Sequence, residues 1–257
     1  MYQQRADLAD FQRAMAQGET ALAWNRQALG NARTPAARQV FLQLDEPACL
    51  DMAAQADARR AQSRPRSPLD GVPISVKDLF DVQGQVTTSG SLSCQADAPA
   101  AHDAPAVQRL RQAGAVLMGR TNMTEFAFSG VGINPHFGTP RNPCDPVVDR
   151  IPGGSSSGAA VSVALGLAVA GLGSDTGGSL RIPAALCGLV GFKPTQSRVP
   201  LLGVNELARS LDSVGAISHC VSDALVVDAV LTGQTWVAPP RALSNMRLAI
   251  PRQVMLD

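Results

Sequence analysis

The sequence predicts an α/β fold, with a mixed, largely parallel sheet covered by helices. Three observations carry that prediction. A short apolar run ending at Lys77, a helical stretch over 103–112 and a buried apolar run over 115–119 follow one another. Strand, helix, strand in that order implies a right-handed crossover and a parallel pair. Two loops of small residues, 153–158 and 173–179, enclose an apolar segment over 159–172, and a further apolar run, 184–192, follows directly.

Taken in order, residues 8–29 carry apolar side chains at helical spacing, Leu8, Phe11 and Met15 and then Ala21, Leu22, Trp24 and Leu29, with a break near Gly18. They are read as two helices. Residues 34–44 form another short apolar-spaced stretch, and Asp45-Glu46-Pro47 supply a cap and first turn for a helix reaching about Gln62. Residues 1–62 are therefore read as an N-terminal helical segment and 63–257 as the core. Turn residues over 63–68 lead into the strand that ends at Lys77, and the small, polar residues 79–93 form a loop that walls a site. Asp103 caps a helix that Gly114 stops, and residues 115–119 make the next strand. Residues 122–128 read as a short helix, with Glu125 pairing or capping locally, and the Pro- and Asn-rich 134–146 as loop. Ser222-Asp223 open a helix to about Leu231, and 246–250 reads as one more strand.

Composition narrows the function. The chain has 257 residues and a formal net charge of +1, enough for one sizeable domain and too balanced for nucleic acid as a direct partner. Residues 1–18 are polar and charged, unlike a signal peptide, and 159–172 is too short and glycine-rich to cross a membrane. The five cysteines, Cys49, Cys94, Cys144, Cys187 and Cys220, include no C-x-x-C pair to hold a metal, and their odd number suits reduced thiols in a cytoplasm. No cofactor and no metal are expected.

The chemistry is concentrated in residues 151–195. Glycine lets backbone amides approach a substrate, so Thr176-Gly177-Gly178-Ser179 can turn several N–H groups on one developing oxyanion, with Ser179 beside its own oxyanion hole. Asp175 before these glycines and Arg181 after them are read as supporting residues, where the chain leaves a buried strand and enters a short helix with Pro183 in its first turn. A flexible linker of similar composition would not enclose a long apolar segment.

A nucleophilic serine needs a base. His102, His136 and His219 sit in no motif and read as surface or turn residues. Lys77 closes the strand-like run and its amine is carried inward, where burial disfavours the charged form. Gly154-Ser155-Ser156-Ser157-Gly158 also fits G-x-S-x-G, which would make Ser156 the nucleophile with Asp212 and His219 downstream. That elbow needs a strand before it, and Asp149-Arg150-Ile151-Pro152-Gly153 does not read as one.

Taken together, GVPISVKD, GRTNMTEFAFSG, TPRNP, PGGSSSGAAV, GSDTGGSLRIPAALCGLVGFKPT and SLDSVGAIS resemble the amidase signature family, in order from about Leu50 onward. The resemblance implies a Ser, cis-Ser, Lys triad with Ser179 as nucleophile, Ser155 as the bridging serine after a cis peptide, and Lys77 as base, while Ser156 bonds within the same loop. It implies hydrolysis of a carboxamide C–N bond through an acyl-serine, with a small-molecule amide as substrate. Two rivals stand beside that reading: the glutaminase subunit of a tRNA-dependent amidotransferase, and a catalytically inactive fragment. Gln196-Ser197 and Ser157 depart from the commoner family wording, which leaves the substrate subclass open. Family members are longer, so the resemblance implies a core truncated at its C-terminus. Its open sheet edge predicts a homo-oligomer or a missing C-terminal portion that covers it.

Overall fold

Among the described residues, the strand that closes at Lys77 lies near the centre of a six-stranded sheet. The structure is a computed structural model that describes residues 6–234, with Ser244 and Arg247 beyond them. The expected strand over 246–250 lies outside the described residues.

The N-terminal helices form as the apolar spacing predicts, α1 over Leu8–Ala16 and α2 over Ala21–Asn31, with Gly18 at positive φ in the break. The next segment departs from the helical reading of 1–62. Phe41–Leu44 is a strand, β1, and it joins the sheet edge, so the N-terminal segment is built into the core. Helix α3, Glu46–Ala61, starts as expected, with the Asp45 carboxylate accepting from the Ala48 N–H and Pro47 in its first turn.

β2 (Pro73–Lys77), α4 (Pro105–Gln112) and β3 (Val116–Thr121) make the predicted unit, and β2 and β3 pair in parallel. Asp103 is not the cap of α4. Ala104 holds that position without a side-chain bond, and Asp103 instead accepts from the Gln83 N–H and the Arg111 guanidinium. A strong cation within reach and a loop amide compete successfully for that carboxylate. Residues 122–128 form only a single 3₁₀ turn, Glu125–Ala127, with Phe126 and Ala127 both at positive φ. The Asn122 side chain accepts from the Met123 N–H and donates to the carbonyls of Gln39 and Gly138, which binds this stretch to neighbouring loops in place of a helix.

The apolar segment 159–172 is divided between two elements, helix α5 (Ser157–Ala164) and strand β4 (Ala170–Asp175), with Gly166 turning between them. Helix α6 (Arg181–Leu186), β5 (Val190–Phe192), β6 (Ser213–Ser218) and α7 (Val221–Thr232) complete the described chain. The strand order is β1-β3-β2-β4-β6-β5. β3, β2 and β4 run parallel at the centre, and antiparallel pairs flank them.

Two cores result, one on each face of the sheet. Ile74 and Val76 of β2 pack in the larger cluster with Leu8, Phe11, Ala53, Leu110 and Val227, residues of α1, α3, α4 and α7. Ser75 and Lys77 alternate with them and turn to the other face, where the Ser75 hydroxyl meets that of Ser162 in α5 at 2.8 Å. Val161, Ala184 and Ile217 belong to the smaller cluster on that side. Alternation along one short strand therefore carries an amine into a helix-covered interior.

Candidate active site

Lys77 is fully buried, and its Nζ donates to Ser155 Oγ at 2.7 Å and to Ser174 Oγ at 2.9 Å. Burial pushes its pKa down to about 7, against the opposing pull of the Asp175 and Asp212 carboxylates. The amine is therefore within reach of its neutral form at neutral pH. Sequence reasoning misses Ser174, because a serine inside the glycine-rich tract carries no pattern of its own.

Ser155 is held by a loop packed against another loop. The Gly154–Ser155 peptide is cis, as the resemblance implies. The Gly154 N–H donates to the Gly130 carbonyl at 2.7 Å, and the Ser155 carbonyl accepts from Thr124 N–H at 3.1 Å. Gly153 has φ +76°, a conformation that a side chain would disfavour. Ser156, fully buried, donates its hydroxyl to the Ser174 carbonyl at 3.3 Å. The bond expected within its own loop is instead made across to β4, because the loop packs against that strand.

Ser179 follows β4 and is 6% exposed. Its carbonyl accepts from the Ser156 N–H at 3.3 Å, bringing the two serine loops together. Among the described residues its hydroxyl has no hydrogen-bond partner, and the bridge from Ser155 to Ser179 is not closed here. Such bonds commonly tighten only when substrate is bound.

Asp175 organises the turn between β4 and α6. Its buried carboxylate accepts from the N–H groups of Gly178 at 2.8 Å, Leu180 at 3.1 Å and Arg181 at 3.3 Å, and from the Arg181 guanidinium at 2.9 and 3.0 Å. Burial alone would raise its pKa, but the Arg181 side chain and these amides outweigh it and hold the carboxyl below its ordinary value.

The oxyanion reading needs one correction. Because the Gly178 amide is committed to Asp175, it is not free to donate elsewhere. The N–H groups of Thr176, Gly177 and Ser179 have no acceptor among the described residues, and Gly177 is exposed. Thr176 is anchored through its hydroxyl to Asp212, whose carboxylate also accepts from the Leu207 and Ala208 amides. In the sequence Asp212 stands out only as a partner for His219 in the elbow reading. The six-residue strand β6 separates those two residues, a span of roughly 20 Å. His102 is exposed and His136 pairs with Glu125 at 3.1 Å.

One further pair fixes the chain just past Lys77. Asp78 accepts from Arg120 Nε at 2.9 Å with both side chains 2% exposed, and also from the Gly90 N–H at 3.2 Å.

The family model described as Amidase matches residues 28–246, most of the chain. The protein belongs to the amidase family. It is 49% identical over 181 residues to a glutamyl-tRNA(Gln) amidotransferase subunit of Anaeromyxobacter dehalogenans (strain 2CP-C), covering 70% of this chain and 36% of that protein. A solved structure described as an amidase superposes with a TM-score of 0.81 at 42% identity, covering 90% of this chain and 52% of the other. Native peptide amidase from Stenotrophomonas maltophilia superposes at 0.80 with 36% identity, covering 92% and 51%. The chain thus spans about half the length, or less, of these proteins. Among the described residues no helix is long and apolar enough to cross a membrane.

Proposed function

We propose that the chain carries an amidase centre that cleaves a carboxamide C–N bond through an acyl-serine. The observation that supports this most is the buried Lys77 amine, 2.7 Å from Ser155 Oγ, with a pKa lowered to about 7. A neutral amine there accepts a proton from Ser155 as Ser155 takes one from Ser179, whose oxygen attacks the amide carbon. The carbonyl oxygen becomes an oxyanion facing the free N–H groups of Thr176, Gly177 and Ser179. As the C–N bond breaks, the same relay returns a proton to the departing ammonia or amine. Water then repeats the cycle on the acyl-enzyme and frees the acid. The substrate is a small amide, and the compartment is the cytoplasm.

A second reading rests on the 49% identity to an amidotransferase component. There the same chemistry would release ammonia from glutamine for use by a partner protein. The third reading is an inactive half, motivated by the share of its relatives that the chain spans. A panel of simple amides and glutamine, assayed for ammonia with and without partner proteins, separates these. Ammonia from simple amides by the chain alone supports the hydrolase, and ammonia only from glutamine with a partner supports the second. A serine-directed phosphonate that fails to label Ser179 in folded protein sinks both.

A further inference from the structure

Two cysteines come near one another beside the entry to the first serine loop. Cys144 is exposed in the 134–146 loop, and Cys187, 3% exposed, ends α6. The Asn142 side chain ties these segments together, donating to the Leu186 carbonyl at 2.9 Å and accepting from the Cys144 N–H at 2.9 Å. Cys144 Sγ lies 3.8 Å from where a Cβ on Gly188, the residue after Cys187, would stand. Both cysteines line one open cleft. The Cys187 thiol points at the Pro152 carbonyl, 3.5 Å away, and Pro152 immediately precedes Gly153-Gly154-Ser155. Burial first, and then the neighbouring Cys144, push the Cys187 thiol up to about 12. An oxidant in solution therefore meets Cys144 first, and Cys187 stands as the slower resolving thiol.

We propose that Cys144 and Cys187 form a reversible oxidation site, joined as a disulfide by a small-molecule disulfide such as oxidised glutathione. The Cys144 thiolate attacks one reagent sulfur, forming a mixed disulfide and expelling one reagent thiolate. The Cys187 thiolate then attacks the Cys144 sulfur and expels the second. The two protein thiols lose two electrons and two protons, and the reagent disulfide is reduced to two thiols. Cys187 must turn away from Pro152 to make the bond, which alters the support of the first serine loop. That consequence for catalysis, unlike the disulfide itself, rests on the function proposed above.

The test treats the full chain with oxidised glutathione, alkylates the remaining thiols, and maps the digest by mass spectrometry. The expected result is a Cys144–Cys187 linked peptide that dithiothreitol reverses, with Cys49, Cys94 and Cys220 alkylated. Glutathione retained on Cys144 without an internal link, or pairing to another cysteine, would overturn the proposal. Labelling of Ser179 by a fluorophosphonate should slow several-fold on oxidation, recover on reduction, and ignore the oxidant in Cys144→Ser. A mapped disulfide with unchanged labelling would overturn the link to the serine loop. No labelling in the reduced chain would count against the hydrolase alone, since the peptide map still decides the disulfide.

Discussion

Lys77 Nζ and Ser155 Oγ stand 2.7 Å apart with neither side chain reachable by solvent. The two residues come from different halves of the described chain, one at the end of β2 and one before α5. Burial sets the protonation state of the amine, and so its capacity as a base.

The pH profile follows from that. With the Lys77 pKa lowered to about 7 by burial, acylation should be slow when the amine is charged, rise through neutrality, and level off at alkaline pH. Phosphonate labelling of Ser179 across this range measures it, and a flat profile would point to another base. Lys77→Ala should lower the rate by roughly 10²- to 10⁴-fold, the usual scale for a lost general base. Ser179→Ala should abolish labelling.

The same burial burdens the fold. Lys77 has a pKa of about 7 in the folded chain and about 10.4 unfolded. Between those values the unfolded chain binds more protons, so stability rises with pH, while below about 7 the cost is present in full. Lys77→Met should therefore stabilise the protein, by on the order of 1 kcal/mol or more. The gain should be larger at mildly acidic pH than near pH 10, as paired thermal melts would reveal.

Asp78→Ala leaves the Arg120 guanidinium buried without its counter-ion. Such a loss typically costs about 3–5 kcal/mol, and urea unfolding should register it. The double change Asp78→Leu with Arg120→Met should recover most of the loss, because neither charge is then stranded.

Gly173→Ala tests the closeness of α5 to β4. A Cβ there would stand 2.8 Å from both Ser156 Oγ and Leu180 Cδ2. Overpacking of this kind costs about 1–3 kcal/mol. Because Ser156 lies within the first serine loop and Leu180 follows the second, Ser179 labelling should fall further than the melting temperature alone would suggest.

Part of this candidate site is legible in local patterns, while the grouping of Lys77, Ser155 and Ser179 comes from the family resemblance. Lys77 closes an apolar run, and the glycines beside Ser155 and Ser179 mark tight backbone. The helices α1, α2, α3 and α7 announce themselves by apolar spacing, a cap or a helix-start signal. What escapes depends on long-range partners. Phe41–Leu44 is too short to show alternation, and it becomes a strand only by pairing with β3. Ser213–Ser218 is small and weakly apolar, yet fully buried between β4 and β5. Ser174 and Asp212 owe their places to Lys77 and Thr176, far away in sequence. The Gly178 amide is spoken for by a carboxylate three residues before it, which composition alone does not reveal.

The depth of Lys77 ties reactivity to completed folding. In an extended or half-made chain the same amine is hydrated and holds its proton at neutral pH, so its serines remain ordinary alcohols. Only when β2 is sealed beneath α5 does the side chain give up its proton near neutral pH and become available as a base. On the proposed mechanism, the reactivity of Ser179 would therefore belong to the folded chain alone.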